Sequence, residues 1–249
     1  MNQRQYEIVQ RVNQLGKTSV MDVAKHFDVS VQTVRSDIRY LAERGLILRN
    51  HGEVLPFPHR ENISYDQRRI RNLHGKERMA ALCAGKISDY QSLFMGTGSS
   101  VAEVANHLTH FVGLKVMTNN LHVVSNLCSH QDCEITVAGG RVRKRDQDVV
   151  GGDAVKFFER YRADVGMFSV AAINRRGVLF DFTDEDIDSL DSLVLNSHYR
   201  ILLADNTKFE SESRCVWDNL SKCHCLITDS KPPKYLLNKL SAAGVEVLY

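Results

Sequence analysis

The stretch that most constrains this chain is residues 20–46, VMDVAKHFDVSVQTVRSDIRYLAERGL. It reads as two short helices joined by a tight turn. Placed on a helix at about 100° per residue, Val31, Val34, Ile38 and Leu41 fall within an arc of about 80°. Gln32, Thr33, Arg35, Ser36 and Arg39 fill the opposite arc. That second face carries amide, hydroxyl and guanidinium groups, which bond to base edges in a DNA major groove and to phosphate oxygens. A merely solvated face has the same pattern, so the flanking elements decide. Ser19 is placed to cap a helix starting at Val20, with Asp22 at the capping-box position. Val20, Val23, Ala24 and Phe27 share the inner face of that helix. Asp28-Val29 forms the turn, and Ser30 caps the second helix. Upstream, Ile8, Val9, Val12 and Leu15 make a third apolar stripe, which Gly16 ends. Downstream, Gly45 closes the second helix. Residues 46–50 alternate as a strand, His51-Gly52 turn the chain, and residues 53–55 return. Three helices and a ribbon carrying Arg49 and His51 describe a winged helix-turn-helix. The DNA-facing set is then Ser30, Gln32, Thr33, Arg35, Ser36, Arg39, Arg49 and His51.

The 249 residues are enough for two domains. A net charge of +2 gives no whole-molecule field for nucleic acid, so the basic residues must act locally. No run approaches the ~18 apolar residues of a membrane span. The opening MNQRQYEIVQ has no apolar signal core. A cytoplasmic protein with no membrane partner is expected. Six cysteines include no C-x-x-C pair, and a reducing cytosol makes most of them small core residues. Cys223-His224-Cys225 offers two thiols on one strand face, but no second ligand pair has metal spacing; no metal and no cofactor are assigned.

Pro56 and Pro58 flank Phe57, and the polar run HRENISYDQRRIRN follows. This reads as a linker, and its Arg60, Arg68, Arg69 and Arg71 are solvated, touch phosphate, or pair with acids further on. The expected division is residues 1–57 for DNA, 58–75 for the linker and 76–249 for a second domain. From Lys76 onward helical and strand patterns alternate. Strands are expected at 92–95, 115–118, 134–138, 163–170, 200–204, 226–228 and 245–248. Helices are expected around Met79, Leu82, Cys83 and Ile87, around Val101–Leu108, up to Cys128, and over 184–196 and 234–243. Short apolar strands alternating with helices imply an α/β domain with a mostly parallel sheet.

Ligands of such sheets collect at the carboxyl ends of the strands. After the first strand comes Gly96-Thr97-Gly98-Ser99-Ser100, leading into a helix. Its glycines permit close approach, and its hydroxyls and helix-start N–H groups suit an anion such as phosphate. It lacks the lysine of a nucleotide P-loop and the spacing of a dinucleotide fingerprint. Thr118, Asn119 and Asn120 follow the second strand, and Gly139, Gly140 and Arg141 the third. Asp181 follows the run 177–180, and Asp205 and Lys208 follow RILLA. Singly, these are ordinary caps and turn residues. Together they suit a small polyol phosphate, with cations and amides for the phosphate and carboxylates for its hydroxyls.

The sequence SVMDVAKHFDVSVQTVRSDIRYLAERGLILRNHG resembles the DNA-binding domain of the DeoR family of bacterial sugar-catabolism repressors. The later segments resemble that family's effector domain, which is similar to ribose-5-phosphate isomerase. The resemblance implies that Gly96–Ser100, the TNN segment, the GG turn and Asp205-Asn206-Thr207-Lys208 border a sugar-phosphate site. It also implies a repressor of a carbohydrate operon, acting as a homodimer or homotetramer on a double-stranded operator. Three positions and one stretch depart from the family pattern. Ser36 stands where a second basic residue is usual, Glu53 where the wing has a second glycine, and Glu210 where a glycine follows D-x-[ST]-K-F. The stretch DFTDEDIDSLDS is acidic throughout. Its carboxylates would repel a phosphate unless they face solvent or the linker arginines, and they raise the alternative of an unphosphorylated effector. A second alternative is a sugar-phosphate isomerase carrying a DNA domain, with Asp181 or Asp205 as base and Lys208 as enediolate stabiliser. No second acid–base set stands at clear spacing, so no catalytic residue is assigned and an enzyme is not expected.

Overall fold

The computed structural model describes residues 1–44, 46–50, 52–57 and 65–249, with nothing beyond the backbone for Asp66. The readings made on Gly45, His51, Pro58 and Arg60 lie outside the described residues. The chain divides into two compact units, Met1–Leu73 and His74–Tyr249.

The first unit holds α1 (Gln3–Leu15), β1 (Thr18–Ser19), α2 (Val20–His26), α3 (Val31–Glu43), β2 (Ile47–Asn50), β3 (Glu53–Pro56) and α4 (Tyr65–Ile70). Each of the three main helices begins on a polar cap. Asn2 and Gln5 form a full capping box on α1. Ser19 Oγ accepts from Asp22 N–H at 3.0 Å and donates to the Asp22 carboxylate at 2.7 Å, while Ser30 Oγ accepts from Thr33 N–H at 3.1 Å. One core joins the helices to the wing: Ile8, Val12, Val23, Val34, Leu41, Ile47 and Val54 are fully buried in it. Two residues expected in that core lie outside it. Leu15 is 56% exposed at the end of α1, and Val31 is 36% exposed at the start of α3. Tyr6 is buried toward the start of α1 and Asp37 on α3. Asp37 takes hydrogen bonds from Arg4 Nε at 2.7 Å and Gln5 Nε2 at 2.8 Å, a polar clamp between α1 and α3. The wing has three strands rather than two, because β1 pairs with β3. Part of the expected linker is helical: Tyr65–Ile70 form α4, and Ile70 packs on this core. Burial of Tyr65 and packing of the partly buried Ile70 outweigh the polar character of the rest.

The second unit begins on α5 (Leu73–Ala84) and runs through β4 (Ser92–Met95), α6 (Ser99–Asn106), β5 (Leu114–Thr118), α7 (Leu121–Leu127), β6 (Cys133–Val137), β7 (Arg141–Arg143), β8 (Asp148–Val150) and α8 (Gly152–Arg160). It continues with β9 (Ala163–Phe168), β10 (Ala172–Ile173), β11 (Val178–Asp181), α9 (Asp184–Leu195), β12 (Ser197–Leu203), β13 (Cys215–Asn219), β14 (Cys225–Ile227), α10 (Lys234–Ala242) and β15 (Glu246–Leu248). Seven strands form one sheet in the order β15-β14-β12-β9-β4-β5-β6, and every neighbouring pair is parallel. Successive residues of a strand face opposite sides, and Leu93, Phe94 and Met95 are all fully buried, so both faces of the sheet are covered. The chain leaves β4 toward β5 and β6 on one side, and β9 returns on the other. The crevice between the ends of β4 and β9 is therefore the switch point where such sheets bind ligands. A small antiparallel sheet, β10-β11-β13, and the hairpin β7-β8 complete the unit.

Gly166 in β9 has no room for a side chain. A Cβ there would lie 2.0 Å from Ser197 Oγ and 2.6 Å from its Cβ. Gly166→Ala is expected to destabilise the second unit by about 1–3 kcal/mol, the usual overpacking cost. Urea unfolding of the full chain measures this, and Ser197→Gly in the same chain is expected to recover most of the loss.

Candidate functional site

Two surfaces carry the functional side chains, one on each unit. On the first unit Gln32, Arg35, Ser36 and Arg39 are exposed along α3, and Thr33 is half-buried. Ser30 is exposed, but its hydroxyl is committed to the cap, where it meets Thr33 N–H and Thr33 Oγ1 at 2.8 Å. The wing closes over the same face. Gln32, Arg35 and Arg39 from α3, Arg49 from β2, and Gly52 line one concavity of about 270 Å³ floored by Val20 and Ile38. Three guanidinium groups around one groove, beside an exposed amide, have the chemistry that suits phosphate oxygens and base edges. The unusual acid Glu53 pairs with Lys17 at 2.7 Å, which offsets its charge beside the wing.

On the second unit the loop after β4 enters α6 at the switch point. Gly98 is the N-cap with φ +108°, a conformation that a residue with Cβ adopts only under strain. No side chain caps this helix, so its first-turn N–H groups have no side-chain acceptor. Asn120 fixes the loop. Its Nδ2 donates to the carbonyls of both Gly96 and Gly98 at 3.2 Å, and its Oδ1 accepts from His122 N–H at 3.1 Å. Thr118 Oγ1 donates to Met95 O at 2.5 Å and accepts from Asn120 N–H at 3.0 Å. The side-chain polar atoms of both residues are engaged in these bonds, so they brace the loop. Asn119 differs. Its Nδ2 donates to Val149 O at 3.0 Å, while its buried Oδ1 has no hydrogen-bond partner.

Gly96, Thr97, Asn119 and Asp181 line one crevice with Ser169, Asp186 and Ser189, backed by Phe158, Phe168, Leu190 and Leu193. Its free interior is about 10 Å³, room for one water molecule. Ser99 and Ser100 are buried at the α6 start. The other expected residues stand apart from this crevice. Gly139 and Gly140 are exposed past the edge strand β6, and Arg141 there pairs with Glu185. Asp205 and Lys208 follow β12, which lies beyond β9, two strand spacings or about 10 Å from β4. Sequence reading overlooked Ser169 because it ran the strand on to Val170, whereas β9 ends at Phe168.

The acidic helix α9 finds partners within its own unit. Arg143 sits among Asp146, Asp148 and Asp186 at 3.1, 2.6 and 2.7 Å. Burial opposes the Arg143 charge, but hydrogen bonds to Asp148 and Asp186 outweigh it and raise its pKa, so it stays cationic. Asp191 accepts from Trp217 Nε1 at 2.8 Å. The acids Asp184, Glu185 and Asp186 also occupy the first turn of α9, where the helix dipole favours them. One guanidinium is shared by three carboxylates, so the repulsion expected of this stretch is only partly offset. Cys223 and Cys225 are buried, and burial pushes their thiols up to about 12 and about 11, so both are unreactive.

Asp205 has a companion that the sequence concealed. Lys76, on the first turn of α5, is 4% exposed. Burial alone would push the Asp205 carboxyl up, but the charges of Lys76 and Lys208 and the hydrogen bonds from Thr207 hold it below its ordinary value of 3.8. A depressed folded-state pKa contributes stability above the ordinary value and loses it as pH falls through the folded one. Lys76→Met is therefore expected to destabilise the chain by about 3 kcal/mol at pH 7. Thermal unfolding across pH should show the gap from wild type closing below about pH 3.8.

Comparison with known proteins identifies both domains. Residues 4–55 match the DeoR-like helix-turn-helix domain, and residues 71–230 match the DeoR C-terminal sensor domain. The chain is 31% identical over 245 residues to the glycerol-3-phosphate regulon repressor of Escherichia coli (strain K12), covering 98% of this chain and 97% of that one. It is 30% identical over 247 residues to the HTH-type transcriptional repressor CsqR of the same organism, covering 99% and 95%. Among solved structures, ribose 5-phosphate isomerase A from Methanocaldococcus jannaschii aligns over 55% of each chain with 12% identity and a TM-score of 0.41. No helix among the described residues is long and apolar enough to cross a membrane. The chain belongs to the DeoR family of transcriptional regulators, and its relatives are named as regulators rather than enzymes.

Proposed function

We propose that this protein represses a carbohydrate or polyol catabolic operon and is released from its operator by a phosphorylated sugar or polyol. The observation that carries the reading is the uncapped start of α6 at the sheet's switch point, held open by Asn120. Phosphate accepts from such N–H groups, and the helix dipole adds to the attraction. Thr97 and Ser169 supply hydroxyls, while Asp181, Asp186 and the unpartnered Asn119 Oδ1 accept from ligand hydroxyls. Lys76, Asp205 and Lys208 form a charged rim on the same edge of the sheet.

A crevice of about 10 Å³ does not hold a sugar phosphate, so the ligand binds a wider form of the second unit. That requirement supplies the switch. The effector shifts the population only by its preference for one form, about 1.4 kcal/mol per tenfold difference in affinity. Release follows if the wider form is the one that binds DNA poorly. The helix-turn-helix reads half-sites, so the acting species is a dimer or tetramer on a two-fold operator.

Thermal unfolding of the full chain with glycerol 3-phosphate, ribose 5-phosphate, glucosamine 6-phosphate and their unphosphorylated forms tests the effector class. A phosphorylated compound at one hundred times its Kd is expected to add about 2.7 kcal/mol of stability. Stabilisation by the free compounds alone would replace the phosphate reading with an unphosphorylated effector. In gel shifts on the DNA upstream of its own operon, Arg35→Ala and Arg39→Ala are expected to weaken binding at least tenfold. A chain that fails to bind any such duplex at low salt would contradict the repressor reading.

A further inference from the structure

We propose that Val31 reads the 5-methyl group of a thymine in the operator, which makes it a specificity-determining residue. The inference rests on α3 being the DNA-reading helix. It starts from a mismatch between residue type and position. Val31 is the first residue of α3 and is 36% exposed, whereas Val34, Ile38 and Leu41 are buried to 1% or less. The core of the first unit closes without it. Valine is also a poor choice for an exposed helix position, since its branched side chain loses rotamer freedom there and leaves methyls in water.

Its neighbours define what it meets. On the helix Val31 stands one turn before Arg35 and beside Gln32, two residues that line the concavity between α3 and the wing. The residue before it, Ser30, is locked by its cap bond to Thr33, so the start of α3 is held in place. N-terminal residues of a recognition helix are the ones that approach base edges. Two methyl groups offer no hydrogen bond, and the apolar feature of the major groove is the thymine methyl. A side chain with one dominant rotamer loses little entropy on docking against it. The long side chains lining the groove are polar or cationic, so an apolar contact at the start of α3 adds discrimination that they do not supply.

Single exposed apolar residues are common and need not touch anything, so the test must separate contact from coincidence. Full-length protein is first used to select duplexes from a random library. In the selected site each thymine is then replaced singly by deoxyuridine, which removes only the methyl. Competition gel shifts at one salt concentration compare wild type with Val31→Ala. Wild type is expected to lose about fourfold at one thymine per half-site, the worth of one buried methyl. V31A is expected to bind the thymine and uracil forms of that position equally, while keeping its response to changes elsewhere. Val31→Ser should behave the same, and unchanged thermal unfolding of both variants excludes a folding effect. Uracil sensitivity in V31A that matches wild type at every thymine, or no sensitive thymine at all, overturns the proposal. A library that yields no bound duplex overturns the DNA-reading role beneath it as well.

Discussion

A single side-chain amide, Asn120 Nδ2, holds the carbonyls of Gly96 and Gly98 at 3.2 Å each. Most of the second unit's functional geometry follows from this. With their carbonyls turned to Asn120, the residues of the loop leave the N–H groups at the α6 start directed away from it. Thr118 supports the arrangement from below, bonding Met95 O and Asn120 N–H, and so ties the end of β4 to the end of β5. Buried polar groups are costly unless paired, and here the pairing shapes the loop for which we propose an anion-binding role. Asn119, between these two braces, lines the same crevice and has an unpaired buried oxygen.

Charge compensation sets the second constraint. The wall of the crevice contributed by α9 is unusually rich in carboxylates, yet two of its three first-turn acids are tied to a cation of their own unit, Glu185 to Arg141 and Asp186 to Arg143. The hairpin that carries both arginines also pairs with the segment after β5, through Leu121 N–H to Gln147 O and Val149 N–H to Asn119 O. The hairpin therefore joins the acidic wall to the braced loop, and a ligand that moves either one disturbs the other. A pinched crevice with such coupled walls has the properties a sensor needs: a closed form, and a network through which opening has consequences.

Much of this was readable in the sequence, and the misses have physical causes. The strong local signals held: the serine caps at Ser19 and Ser30, the glycine-hydroxyl loop at 96–100, and apolar runs for the central strands. Residues 141–160 carried no such signals. The β7-β8 turn uses Gln147 at φ +53° where glycine or asparagine would have announced it, and α8 starts from Gly151 with no side-chain cap. Periodicity placed Val31 and Leu15 on apolar arcs but gave no information on where a helix runs out of neighbours. Lys76 was invisible as a site residue because its partner Asp205 is brought near only by the fold. The polar linker pattern concealed α4, whose stability comes from packing Ile70 on a core assembled from distant residues.

The claim at the centre is that the start of α6 receives the effector's phosphate. Amide chemical shifts of the ¹⁵N-labelled full chain test it directly, on titration with a sugar phosphate that stabilises the protein. The account predicts large downfield shifts of the Ser99, Ser100 and Val101 amides, since each gains a charged acceptor, and loss of those shifts with the dephosphorylated compound. Saturable shifts confined to other amides, with the α6 start unmoved, would contradict it.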